Sequence, residues 1–381
     1  MTGSLQIKND KYYAVINIYE NGKRKQKWID THLAAKGNKL KAEKFLRNLL
    51  LEMENNELQM SGKVLFSEYI VNWLAHKHGQ VDEITYQGYE KLINGDFLPY
   101  FKAHPYQLSE ITPSVMQEYF NYNVQHGRKD GKGGLSACTL KKHKNLLHQI
   151  IKKAQADGYV HVNACEYVEL PKVERFKPNF KNKAEMVRLL EILRNESIYP
   201  QVFILSLYGL RRSELCGLQW NSVDFDEDTI TICHTVVKGK TLIKKDKTKS
   251  ESSNRILPLF PEVKEMLLEI KKRQEDNRAI LGSGYIDSPY IFTWDNGAII
   301  SPDYISHKFS KLLAKHNLSH MRLHDLRHSC ASMVLSEGGN LKDVQEWLGH
   351  SDIGMTANIY GHLDMERKKH IANSMSQILL K

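Results

Sequence analysis

His324-Asp325-Leu326-Arg327-His328, then Gly338-Gly339, then Leu348-Gly349-His350 and, ten residues past that histidine, Tyr360: the reading of the chain turns on this stretch. Its histidines, arginine and tyrosine form a set able to move a phosphoryl group without a metal. Arginine holds phosphate oxygens, histidine donates hydrogen bonds or carries a proton, and tyrosine attacks. The spacing predicts a helix, because Leu323, Leu326 and Cys330 recur at i, i+3 and i+7 and the run continues through Met333 and Val334 to the glycines. On that helix His324 and Arg327 are three apart, project from one face and could touch the same phosphate. Taken singly, each of these residues also suits a plain solvated helix face. His324 and His328 have zinc spacing, but no Glu or Cys stands nearby as a third ligand, so no metal is expected.

The run His324-x-x-Arg327, Leu348-Gly349-His350 and Tyr360 resembles the second signature box of the tyrosine recombinases, the phage integrase family. That family also has a first box of the form Gly-Leu-Arg-x-Ser-Glu-Leu. This chain carries Gly209-Leu210-Arg211-Arg212-Ser213-Glu214-Leu215 more than a hundred residues upstream. The resemblance implies a mainly α fold with small antiparallel β-sheets in several domains. It also implies a site-specific DNA recombinase that cleaves and rejoins strands through a 3′-phosphotyrosyl intermediate, to integrate and excise a mobile element. The family's roles then fall on Tyr360 as nucleophile, on Arg211 and Arg327 as holders of the non-bridging oxygens, and on His324 and His350 as donors to the phosphate or carriers of the nucleophile's proton. Family members also place a lysine on a β-turn to protonate the leaving 5′ oxygen. Aligning Lys-x-x-Ser-Ser-x-Arg on Arg255-Ile256-Leu257-Pro258-Leu259 gives that role to Lys249, with Lys247 as the alternative; a lysine on a basic turn is otherwise a phosphate contact. Glu214 is expected to orient or buffer the arginines. Arg212 and His328 are set aside on motif register alone, and no cofactor is implied.

Composition agrees with a DNA partner without requiring one. Lys and Arg outnumber Asp and Glu by 54 to 44, a net charge of +10 that favours a polyanion but also occurs on plain soluble proteins. The 381 residues can hold two or three domains, and 41% are hydrophobic. No apolar run reaches the roughly eighteen residues a membrane helix needs, and the amino terminus lacks a basic-then-apolar signal. A cytoplasmic, nucleoid-associated protein with no membrane partner is therefore expected. The five cysteines form no CxxC pair, which suits reduced thiols.

In chain order, residues 1–60 read as two strands and a helix: Tyr13 to Tyr19, a turn at Glu20-Asn21-Gly22-Lys23, Gln26 to Ile29, then a helical pattern from Leu40. Through Arg47 this segment has eleven Lys or Arg against four Asp or Glu. It is either a charged surface hairpin or a β-ribbon head for the major groove. The family resemblance implies the latter, an arm-type DNA-binding domain. Residues 63–170 read as helices, the second ended by Pro99, with a polar, flexible loop at Arg128 to Gly134; they resemble the family's core-binding domain. Pro171 to Lys183 reads as a linker, a hinge between two halves of a clamp, and 184–381 as the catalytic domain. Within the latter, Thr229 to Ile232, Val236-Val237 and Arg255 to Leu259 should form one small antiparallel sheet, and Tyr290 to Phe292 a short strand. The tail stripe Ile371, Met375, Ile378 either folds back or, as in the family, docks on a neighbouring protomer. The implied partners are double-stranded DNA at core and arm-type sites, further copies of the chain in a tetramer, and an excision accessory protein. Two other classes stay open: a DNA-binding regulator that does not cut, and a type IB topoisomerase.

Overall fold

Tyr12, Ala14, Val15 and Ile16 are buried in the middle of a three-stranded antiparallel sheet, β1 (Thr2–Lys8), β2 (Lys11–Glu20) and β3 (Lys23–Ala34), in that order. The sequence predicts only two of these strands. Thr2–Lys8 offers just Leu5 and Ile7 as apolar residues, and it is held by pairing with β2 from Thr2↔Asn17 to Lys8↔Lys11 rather than by propensity. Helix α1 (Lys39–Ser61) packs on the sheet where Gly3 leaves room; a Cβ at Gly3 would lie 3.1 Å from Leu46 Cδ1. The structure, a computed structural model, describes residues 2–20, 23–61, 64–173, 181–245 and 254–349 with Ala372, Ser376 and Gln377. It divides into two compact units, Met1–Glu174 and Arg175–Lys381, parted inside the 171–183 stretch. Residues 174–180 of that stretch and the stripe Ile371, Met375, Ile378 lie outside the described residues.

The rest of the first unit is helical: α2 (Phe66–Lys77), α3 (Glu83–Leu92), α4 (Leu98–Ala103), α5 (Pro113–His126) and α6 (Ala137–Ala156). Their apolar positions, among them Phe66, Ile70, Trp73, Phe120, Leu147 and Ile150, make one core. Pro99 does not end the second helix as predicted. α3 passes through one π turn, Ile93–Phe97, straight into α4, and Pro99 sits in the first turn of α4, where a missing amide costs little. The wide turn carries Asp96. Its Oδ2 comes 3.6 Å from Nε2 of the fully buried His143, whose Nδ1 shares a 2.8 Å hydrogen bond with Tyr119 Oη. The glycine-rich loop is tied down: Arg128 pairs with Asp130 at 2.6 Å, and Lys129 reaches Asp96 at 3.5 Å.

The second unit has a main core lined by α7 (Lys183–Leu193), α8 (Tyr199–Tyr208), α9 (Arg212–Cys216), α10 (Pro261–Leu281), α11 (Pro302–Lys315) and α12 (Asp325–Ser336), and a smaller cluster where Val344 and Leu348 of α13 (Leu341–Leu348) meet Cys330 and Ala331. Its strands are β4 (Val223–Asp224), β5 (Thr229–Ile232), β6 (Thr235–Lys238), β7 (Leu242–Lys245) and β8 (Arg255–Pro258). Among the described residues the one predicted sheet is divided into two, β4-β5-β8 and the hairpin β6-β7. The chain breaks between β5 and β6 where Gly217 presses on the His234 carbonyl; a Cβ there would lie 2.5 Å from it. Tyr290 to Phe292 is buried but forms only an isolated bridge, Gln219↔Tyr290, because its backbone partner, Leu218 to Trp220, is a loop too short for a ladder. Among the described residues no helix is long and apolar enough to cross a membrane.

Burial lowers the His143 pKa below its ordinary value, against the opposing pull of Asp96. The unfolded chain therefore binds that proton more readily, so stability is whole above about pH 6.5 and falls as the pH drops below it. The thermal midpoint should fall between about pH 7.5 and pH 5.5, and His143→Gln should make that fall smaller. An undiminished fall in the variant would place the titrating group elsewhere.

Candidate active site

Gly209 closes α8 in the left-handed region (φ 58°), which glycine adopts without strain. A Cβ at this position would lie 2.2 Å from Leu348 Cδ2 and 3.2 Å from Cys330 Sγ, so the turn also needs a bare backbone. Past the turn, Arg211 caps α9. Its amide donates to Glu214 Oε2 at 2.9 Å and its Nη1 donates to Glu214 Oε1. Glu214 is 1% exposed and also accepts Arg255 Nη2 at 3.1 Å, whereas 27% of the Arg211 side chain stays accessible.

These arginines converge on the end of α13, where Gly349 takes the left-handed conformation (φ 68°) and the last carbonyls need partners from outside the helix. Three successive carbonyls each accept a different guanidinium at 2.9 Å: Trp347 O from Arg255 Nε, Leu348 O from Arg327 Nη2, and Gly349 O from Arg211 Nη2. Arg327 also donates to Gly209 O at 2.5 Å, so it pins the α8 turn to the α13 end. Burial pushes the Glu214 carboxyl up, but Arg255, Arg211 and Arg327 outweigh it and hold the group below its usual value. Burial, then the charge of Arg211, lowers Arg327 to about 9. One carboxylate against three guanidiniums leaves a cationic surplus, offset by the partial negative charge of the helix terminus.

His324 precedes α12 rather than lying within it. The sequence predicts that His324 and Arg327 share an exposed face, but Arg327 is 2% exposed and turned toward the carbonyls while His324 is exposed. The helix starts one residue later than that prediction needs, so only one of the pair meets solvent. Packing around the His324 ring, then the charges of His328, Arg327 and Arg322, lowers its pKa to about 4. Because the ring keeps an accessible edge, the downward direction is what the geometry supports. His328 is buried with its ring centroid 5.1 Å from that of His324, and burial holds it low too. Arg212 leaves the cluster for Asp303 at 2.9 Å and Ser306 at 3.0 Å. Beside His324 a cavity of about 440 Å³ is lined by Arg212, Ser306, His320 and Arg322.

Arg211 and Arg327 thus meet at the end of α13, and His324 stands beside His328, three residues before Arg327 in the chain. Lys249, its alternative Lys247, His350 and Tyr360 lie outside the described residues. The residue that sequence reasoning overlooked is Arg255, used there only to align the lysine motif. The available signal was an arginine opening a strand of alternating pattern: Arg255 and Leu257 are buried while Ile256 and Pro258 are exposed, and a charge on the inward face requires a buried partner. Among the described residues no three His, Cys, Asp or Glu side chains cluster closely enough to hold a metal ion.

Comparison with known proteins agrees with this architecture. Residues 180–367 match the model of the phage integrase family, and residues 65–123 match its N-terminal SAM-like domain. A tyrosine recombinase XerC-like protein of Caldanaerobacter subterraneus subsp. tengcongensis is 26% identical over 98% of both chains. The ICEBs1 integrase of Bacillus subtilis is 24% identical over 86% of this chain and 87% of its own. Tyrosine recombinase XerC of Xanthomonas axonopodis pv. citri is 30% identical over 66% of this chain and 78% of its own. In fold, the chain resembles the Tn1549 transposon integrase bound to circular intermediate DNA (TM-score 0.65, 22% identity, 80% and 99% of the two chains). It also resembles a lambda integrase tetramer bound to a Holliday junction (TM-score 0.57, 15% identity, 91% and 95%). The chain belongs to the phage integrase family of tyrosine recombinases, and it is a site-specific recombinase, as the two sequence boxes implied.

Removing the carboxylate that unites the cluster should be costly. Glu214→Gln leaves Arg211 and Arg255 facing each other with their shared anion gone, and should lower the unfolding free energy by about 3 kcal/mol in chemical denaturation. A change below about 0.5 kcal/mol would mean that the carboxylate does not hold the cluster together.

Proposed function

We propose that Tyr360 is the nucleophile and that the cluster around Glu214 prepares the phosphate for it. The phenol oxygen bonds to phosphorus, the bond from phosphorus to the 5′ oxygen breaks, and Lys249 delivers a proton to the departing 5′ hydroxyl. Arg211 and Arg327 hold the non-bridging oxygens; a guanidinium has five N–H donors, of which Arg327 spends two on the Gly209 and Leu348 carbonyls. His324 and His350 donate to the phosphate or take the phenol proton. The lowered pKa of His324 favours the neutral ring, which offers one N–H to the phosphate and makes it a weak base for the phenol proton. Prepositioned cations stabilise the charge that builds on phosphorus without requiring magnesium. The 3′-phosphotyrosyl bond keeps the energy of the phosphodiester, so rejoining needs no ATP.

The observation that carries this reading is the meeting of Arg211 and Arg327, from distant segments, on the helix end that immediately precedes His350. Around the catalytic domain (184–381) the same reading assigns residues 1–60 to arm-type sites, 63–170 to core sites and 171–183 to the linker. The basic three-stranded head supports the first assignment, and the SAM-like match at 65–123 the second. The likeness to integrases of a transposon and of ICEBs1 favours integration and excision of a mobile element. The protein would act inside the cell on the nucleoid, as a tetramer on DNA, with an accessory protein setting direction.

A nicked duplex carrying candidate core sites, incubated with chelator, tests this directly. The unaltered protein should form a covalent protein–DNA adduct that survives denaturing electrophoresis, and Tyr360→Phe should form none. An adduct with the variant would move the nucleophile elsewhere; no adduct with either protein on any site would leave a DNA-binding protein that does not cut.

A further inference from the structure

We infer that Arg255 is a positioning residue for strand cleavage, holding Glu214 and the last turn of α13 where Arg211 needs them. The inference rests on the reading above, in which Arg211 binds the scissile phosphate.

Arg211 and Arg255 share two anchors. On Glu214, Oε1 accepts from the Arg211 guanidinium, while Oε2 accepts from the Arg211 amide at 2.9 Å and from the Arg255 guanidinium at 3.1 Å. On the end of α13, Arg211 takes the Gly349 carbonyl and Arg255 takes that of Trp347, two residues earlier, each at 2.9 Å. The two differ in access. The Arg255 side chain is 6% exposed against 27% for Arg211, so of this pair Arg211 has the more accessible guanidinium. Its own backbone is held in a ladder, opposite Ile232 of β5, which makes it the fixed member of the pair.

Removing Arg255 would have two consequences. Glu214 Oε2 would lose its guanidinium partner while keeping the Arg211 amide, and the carboxylate could turn toward the Arg211 guanidinium, drawing it inward as a bidentate pair. The Trp347 carbonyl would lose its donor, loosening the turn that leads to His350. Both changes act on the geometry of the chemical step and leave the surface that grips DNA alone. Stability alone is a weak reason for this side chain, since an apolar one of similar length would avoid the desolvation of a guanidinium.

The test uses the full chain as Arg255→Met and Arg255→Lys, beside the unaltered protein and Tyr360→Phe. Each is assayed for affinity for the nicked duplex, for single-turnover adduct formation at saturating protein, and for thermal midpoint. A second substrate carries sulfur in place of the bridging 5′ oxygen, which departs as a thiolate and needs no proton. Arg255→Met should cleave about a hundredfold more slowly while its DNA affinity stays within about threefold. Arg255→Lys, which keeps the charge and one contact, should recover about tenfold of that loss. Sulfur should restore neither variant. Cleavage by Arg255→Met within about threefold of the unaltered rate would overturn the inference. So would a loss in both variants that follows the thermal midpoint or the DNA affinity, which would make the role structural, or a rescue by sulfur, which would route the effect through leaving-group protonation. Failure of the unaltered protein to form an adduct, or an equal adduct with Tyr360→Phe, would overturn the cleavage reading itself and this inference with it.

Discussion

The end of one eight-residue helix organises the catalytic unit. Carbonyls at Trp347, Leu348 and Gly349 point out of α13 with no helical partner, and three guanidiniums from three separate segments close on them. Arginines so close together repel one another, and the arrangement holds because Glu214 is buried between two of them and the helix terminus adds its own partial negative charge. The balance still favours positive charge. A surplus of oriented, partly desolvated cation is what a phosphate diester entering the site would neutralise, and the same constraint that builds the fold here therefore prepares its chemistry.

Gly209 shows how tightly this is built. Its left-handed turn lets α8 stop against Leu348 and Cys330, offers its carbonyl to Arg327, and sends the next residues back as the cap of α9. The first unit follows the same rule on a smaller scale. His143 is buried because Tyr119 shares its proton and Asp96, delivered by a π turn, stands near its other nitrogen with Lys129 outside. In both units these buried groups, Glu214 and the His143 Nδ1 edge, lie where a specific partner reaches them.

Much of this was legible in the chain. The helical character of 63–170 follows from the sequence, and the two boxes named the family. The misreadings are local and have local causes. β1 is too polar to announce itself and is held by pairing. Pro99 reads as a stop unless a π turn is foreseen. Tyr290 to Phe292 has strand composition but only a loop to pair with, and the predicted single sheet is divided by the close approach of Gly217 to His234.

What the sequence determined by itself was class and chemistry: periodicity reports which face of a segment is apolar, and a motif reports which reactive groups occur in which order. Tertiary structure alone decided who touches whom. That Arg327 turns inward while His324 stays out, that Glu214 is shared by Arg211 and Arg255, and that Arg255 joins this cluster at all depend on contacts between residues far apart in the chain. Burial and pairing are properties of such contacts, and a one-dimensional pattern carries no record of them.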